Sequence, residues 1–154
     1  MRRAIIFMSI IGSTMVFLAG CFGPGMFGPG MEDYSYTVGS GYELIRTSGH
    51  QISVVPIGGN DGTKPEIKAK VVQIAWDDRY VVSKQLGLKK AYPDNPDNSY
   101  EVPDENAVQY FILDSIDLKL YGGFNFDEFQ QQERELGIAG KMTLKDVNRY
   151  SKQR

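Results

Sequence analysis

The chain has 154 residues, 42% of them hydrophobic, and a formal charge of −2 at neutral pH. That length suits one domain plus a short flanking segment, and a mildly acidic surface is a poor general binder of nucleic acid or anionic lipid. One cysteine and one histidine exclude an internal disulfide and argue against a zinc centre, so the core must hold by packing alone.

Met1-Arg2-Arg3 is a short positive start, and Ala4 to Phe17 is apolar apart from Ser9, Gly12, Ser13 and Thr14. As a helix, Ala4 to Gly20 would span ~25 Å, short of the ~30 Å hydrocarbon core, which favours an export signal over a permanent membrane span. The run ends in Leu18-Ala19-Gly20-Cys21, which resembles the lipobox of bacterial lipoprotein precursors. The resemblance implies cleavage between Gly20 and Cys21 and a diacylglyceryl group on the Cys21 thiol, with residues 1–20 as a removed signal peptide. Two acyl chains hold a protein stably at a bilayer where one holds it only marginally. The implied partner is therefore the membrane, and the implied location is the outer face of the cell membrane. In a diderm envelope, Phe22 after the cysteine resembles the pattern for sorting to the outer membrane.

Phe22-Gly-Pro-Gly-Met26 is followed by an identical copy, Phe27-Gly-Pro-Gly-Met31. Glycine and proline at this density oppose helix and strand, so residues 21–33 read as a flexible tether. Such a segment averages roughly 20 Å end to end.

The folded domain is expected from Tyr34 to the end of the chain, residues 34–154. Tyr34 to Val38, Gly41 to Arg46 and Gln51 to Val55 have strand character, and Ser48-Gly49-His50 reads as a turn. Pro56 and Gly58-Gly-Asn-Asp-Gly62 end the third strand. Val71 to Trp76 and Tyr80 to Ser83 make a hairpin. A three-residue loop, Asp77 to Arg79, would place Trp76 opposite Tyr80 and Ile74 opposite Val82, pairing aromatic with aromatic and aliphatic with aliphatic. Tyr92 to Ser99 and Val102 to Asn106 are dense in turn formers and read as a polar loop. Tyr110 to Leu113 and Leu118 to Tyr121 form a second hairpin.

Asn125 is placed to cap a helix from Phe126 to Leu136, with Glu128 completing a capping box and Phe124 and Phe129 forming a staple. Gly137 stops it. Thr143 is placed to cap a last helix from Leu144 to Tyr150. The expected architecture is α+β: an antiparallel sheet of about six strands built from hairpins, with one or two C-terminal helices on one side.

The segment Ile74-Ala-Trp-Asp-Asp-Arg-Tyr-Val-Val-Ser-Lys-Gln85, together with Tyr110-Phe-Ile-Leu-Asp114, Lys119-Leu-Tyr-Gly122 and Asp127-Glu128-Phe129, resembles a family of short, uncharacterised lipoproteins of Gram-positive bacteria. That family is known only as a domain of unknown function. The resemblance implies an extracytoplasmic location and a small β-rich domain, and it carries over no catalytic residue.

Chemistry must therefore be sought in the residues themselves. Asp77 and Asp78 are paired carboxylates of the kind glycosidases use, which allows an envelope hydrolase as one reading. Adjacent in a tight hairpin loop, they read better as turn residues. Trp76, Asp77, Asp78 and Tyr80 together offer a possible ligand surface. Asp94, Asp97, Glu101, Asp104 and Glu105 supply oxygen ligands for calcium, with Asp94, Asp97 and Glu101 the candidate set, although the spacing is not that of an EF-hand. A solvated acidic loop is the better account of them. His50 lacks a cysteine or serine partner for nucleophilic catalysis. Gly58 to Gly62 lacks the Lys-Ser/Thr ending of a phosphate loop. From Lys141 to Arg154 five basic residues stand against Asp146 alone, a tail suited to a solvated helix face or to contact with anionic lipid or wall polymer. The expectation is a lipid-anchored, non-catalytic interaction domain with no cofactor, meeting an envelope protein or wall polymer. An envelope hydrolase and a calcium-dependent module are the alternatives.

Overall fold

The computed structural model describes residues 34–152 apart from Pro96. The expected signal peptide, Cys21 and the tether lie outside the described residues.

The first three strands, β1 (Tyr34–Val38), β2 (Tyr42–Arg46) and β3 (Ile52–Pro56), form an antiparallel sheet in sequence order. Strict alternation makes it one-faced. Tyr34, Val38, Tyr42, Leu44, Ile52 and Val54 are buried together, while Ser35, Thr37 and Val55 fall on the alternate positions. The second sheet comprises β4 (Val71–Trp76), β5 (Tyr80–Lys90), β6 (Glu101–Asp114), β7 (Lys119–Phe124) and the two-residue β8 (Lys145–Asp146). Its order is β7-β6-β5-β4-β8.

Both faces of this second sheet are covered. Ile74, Val81 and Leu113 pack with the first sheet, and Ala75, Val82 and Ile112 pack with Phe129 of the helix α1 (Phe126–Glu135) and with Ile138 beyond it. The architecture is thus α+β, but among the described residues it has eight strands in two sheets and one α-helix rather than one sheet of about six strands. Coverage on both faces explains why Val81-Val82 and Ile112-Leu113 carry apolar neighbours instead of alternating.

The β4–β5 hairpin is one residue out of the expected register. Trp76 pairs with Val81 and Ile74 with Ser83. Asp77 dictates this: its Oδ1 accepts from the backbone N–H of Arg79 (2.9 Å) and of Tyr80 (2.6 Å), and its own N–H donates to the Tyr80 carbonyl (3.0 Å). The loop therefore closes around Asp78 and Arg79. A slip of one residue exchanges faces, sending Val81 to the sheet–sheet core and Val82 to the helix.

The polar stretch after β5 is also more ordered than its composition suggests. Val102 to Asn106 belongs to β6, with Lys89 opposite Val102 and Leu88 opposite Pro103. β6 pairs with β7 only through Tyr110–Asp114, so the Pro103 stretch has β5 as its one partner strand and the missing N–H is tolerated. Leu86 faces Val108 while Gly87 faces Asp104, so Glu105, Asn106 and Ala107 bulge from the ladder. A Cβ at Gly87 would lie 2.8 Å from the Ala107 Cβ. Beyond the bulge, β5 and β6 form an arm that ends in the loop from Ala91 to Tyr100.

The helix starts as expected. Asn125 Oδ1 accepts from the Glu128 N–H (3.0 Å), and Glu128 Oε2 accepts from the Asn125 N–H (2.9 Å). It ends in a Schellman motif, with Gly137 at φ 69° and the Ile138 N–H donating to the Glu133 carbonyl. The last expected helix is instead β8, which pairs with the free edge of β4, followed by a short 3-10 helix, Val147–Lys152. Satisfying the ladder groups of β4 outweighs local helix preference there. Val147 and Tyr150 pack on the sheet–sheet core, on the opposite face from α1.

Gly122 faces Phe111 across β6–β7, and a Cβ there would come within 1.9 Å of the phenylalanine ring. Gly122→Ala should therefore destabilise by about 1–3 kcal/mol, read as a lower denaturation midpoint at unchanged slope.

Candidate functional site

The tips of three hairpins meet at one end of the two sheets. Arg79, between β4 and β5, donates through Nε (2.9 Å) and Nη2 (2.6 Å) to Asp114 Oδ2 at the end of β6, and its Nη2 also reaches Asp117. Asp114 Oδ1 accepts from the backbone N–H of Ile116 (3.1 Å) and Asp117 (3.0 Å). The Arg79 carbonyl accepts from both the N–H and the hydroxyl of Ser115. Ser40, between β1 and β2, donates its N–H to the same hydroxyl oxygen (3.3 Å). Burial opposes ionisation of Asp114, but the Arg79 guanidinium and the two N–H donors outweigh it and hold the carboxyl below its usual range. The chemistry of this cluster is cohesion: every acceptor oxygen of Asp114 is engaged in holding hairpin tips together.

The four residues expected to share a ligand surface are divided by the strand pleat. Asp77 is held in the turn it closes, and Asp78 is exposed beside it. Trp76 packs on the sheet–sheet side against Tyr36 (ring centroids 5.8 Å) and Tyr150 (5.3 Å). Tyr80 packs on the helix side, under the Arg79 guanidinium. Trp76 and Tyr150 also line a groove of about 330 Å³ whose rim carries Lys141, Thr143 and Lys145.

A larger cleft, about 620 Å³, lies where the tip of the β5–β6 arm meets the β2–β3 turn. The turn contributes Ser48, His50 and Gln51, and the arm contributes Asn95 and Asp97 to Glu101. The two walls are joined by His50 Nε2, 3.2 Å from the Tyr100 hydroxyl, with the rings edge to face at 5.9 Å. Ser48 Oγ shapes the turn by accepting from the N–H groups of His50 and Gln51. Asn95 Oδ1 accepts from the Asp97 N–H (3.1 Å) and Asn98 Oδ1 from the Tyr100 N–H (2.9 Å), while the Ala91 N–H closes the loop on the Tyr100 carbonyl (2.9 Å).

Of the calcium candidates, Asp97 and Glu101 line this cleft and Asp94 does not. Asp104 is committed to Lys89 at 3.2 Å, and Glu105 sits in the bulge. Among the described residues no three histidine, cysteine or acidic side chains are grouped to hold a metal ion. Among them, too, no helix is long and apolar enough to cross a membrane.

A family model described as a protein of unknown function, DUF3997, matches residues 39–148. The chain belongs to the DUF3997 family. The match runs from the β1–β2 turn into the 3-10 helix and takes in both hairpins, α1 and the whole cleft. The DUF3997 match contains all four segments that resemble a domain of unknown function, and it is consistent with that resemblance. No curated protein and no solved structure matches the chain.

Sequence reading singled out Asp97, Glu101 and His50 in this DUF3997 domain but not the cleft that groups them, because the partnership is long-range: His50 and Tyr100 are 50 positions apart. The one available signal was Leu86-Gly-Leu88 followed by Lys89-Lys90, which prolongs β5 and so carries the loop away from the sheet.

Proposed function

We propose that this DUF3997 protein is a lipid-anchored extracytoplasmic lipoprotein whose domain is a non-catalytic interaction module at the outer face of a Gram-positive cell membrane. The observation that carries the anchor is Leu18-Ala19-Gly20-Cys21 at the end of an apolar run behind Arg2-Arg3. A diacylglyceryl group at Cys21 supplies two chains at one residue, at ~0.8 kcal/mol per buried methylene, and needs no second membrane signal. The placement of the paired carboxylates supports binding over hydrolysis. Asp77 and Asp78 are neighbours in one tight turn, with Asp77 Oδ1 closing it, whereas a glycosidase pair flanks the scissile bond from two sides. The partner is an envelope component, protein or polymer, within reach of the membrane.

Intact mass measurement of the N-terminal peptide from the native host tests the anchor. The expected species begins at Cys21 and carries a diacylglyceryl adduct, whereas Cys21→Ala keeps residues 1–20 and carries no acyl group. A wild-type chain that begins at Met1 and carries no acyl group overturns the reading.

A further inference from the structure

The cleft between the β2–β3 turn and the arm tip has a composition that narrows its occupant, and we propose that it is a binding site for a neutral oligosaccharide. This deepens the interaction-module reading and rests on it, but not on the anchor. The volume of about 620 Å³ falls in the range of small-molecule sites. Among the described residues no lysine, arginine or aliphatic side chain lines it, which disfavours phosphate, carboxylate polymers and acyl chains alike.

What does line it is a mixture of donors and acceptors. Asn95 and Asn98 spend their oxygens on the loop's own turns, so their NH₂ groups remain as donors, while Asp97 and Glu101 offer only acceptors. Each sugar hydroxyl both donates and accepts, and neighbouring hydroxyls are met by such alternating pairs. A cation would meet the two carboxylates but also these amide donors, and no third acid is grouped with them among the described residues.

Tyr100 adds the remaining element. Its side chain stands at the join of the two walls, and the residue is 54% exposed. The ring is an apolar platform with a negative face, suited to the C–H face of a pyranose. His50 Nε2 lies 3.2 Å from the Tyr100 oxygen, and in the tautomer that donates from Nε2 the Tyr100 hydroxyl keeps its own hydrogen for a ligand. The loop is already tied by backbone bonds from Asn95 to Tyr92, Asn98 to Asn95 and Ala91 to Tyr100, so little ordering is left to binding.

The test uses the full-length protein in a non-glycosidic detergent. Saturation-transfer NMR and calorimetric titration are run with maltotriose, cellotriose and tri-N-acetylglucosamine, with spermidine and Ca²⁺ as cationic probes. At least one trisaccharide should bind, with affinity reduced tenfold or more in Tyr100→Ala and about threefold in Glu101→Gln, and with melting temperatures unchanged because both residues are exposed. Silence from all three sugars, or binding indifferent to Tyr100→Ala, overturns the proposal. Saturable spermidine or Ca²⁺ binding that Asp97→Asn abolishes, without sugar binding, overturns it in favour of a cation site. An acylated protein that binds no sugar leaves the anchor standing, and a sugar-binding protein without acylation removes the anchor alone.

Discussion

Phe129→Ala should cost about 3–4 kcal/mol and release α1 from the sheet, the largest effect of any single truncation considered for this domain. The helix is thinly attached. Phe129, 3% exposed, is its one buried residue, and it stacks on Tyr110 with ring centroids 4.9 Å apart and planes inclined by 23°. The surrounding cluster of Ala75, Val82, Ile112 and Ile138 has no second helical side chain to close the void. Helix propensity cannot compensate, since a helix of 10 residues is marginal in water without tertiary contacts. For a domain of this size the loss corresponds to a melting temperature lower by about 12–16 °C. Phe126, one turn earlier and 51% exposed, serves as the control: Phe126→Ala should cost under about 1 kcal/mol. Equal losses from the two variants would refute this account of helix docking.

The second large effect is Asp114→Asn. Asp114 is 2% exposed and is the common acceptor for Arg79 and for two backbone N–H groups of the β6–β7 turn. An asparagine keeps the shape but loses the charge that pairs with the guanidinium, and its NH₂ cannot accept. Because Arg79 is 45% exposed and can turn to water, the full cost of a stranded buried charge does not apply, and the expected loss is about 2 kcal/mol. The pH dependence has a definite sign. The folded-state carboxyl titrates below its unfolded value, so its contribution is complete above about pH 4 and disappears as the pH falls through the folded value. The gap in melting temperature between wild type and Asp114→Asn should hold from neutrality to about pH 4 and close in more acid solution. A gap that widens on acidification would contradict the assigned pairing.

Much of this fold was legible one element at a time. Alternation in Tyr34–Val38 and Tyr42–Arg46, the Asn125–Glu128 capping box and the Gly137 stop are local signals, and local bonding reproduces them. The errors share a cause, which is pairing decided by distant partners. One oxygen of Asp77 chose a tighter loop than the Trp76–Tyr80 match suggested, and every residue of β5 changed face as a result. Val102 to Asn106 looks like loop because its proline and acids are surface residues, yet β5 supplies the partners that make it strand. Lys145-Asp146 looks helical until the bare edge of β4 is placed beside it. The doubled apolar pairs at Val81-Val82 and Ile112-Leu113 were a readable sign that the second sheet has neighbours on both sides. Of the candidate sites, the hairpin tip was visible as a motif, while the cleft exists only once the arm is long enough to touch the His50 turn.

The position of Trp76 has a practical consequence. It is the only tryptophan in the chain, and its ring contacts Tyr36 from the first strand and Tyr150 from the final turn. Emission from this single indole is therefore a built-in optical gauge of whether the two extremities of the folded region are seated. It faces the first sheet rather than α1 and lies away from the sugar-sized hollow, so a shift in its colour signals that the first strand or the final turn has come loose.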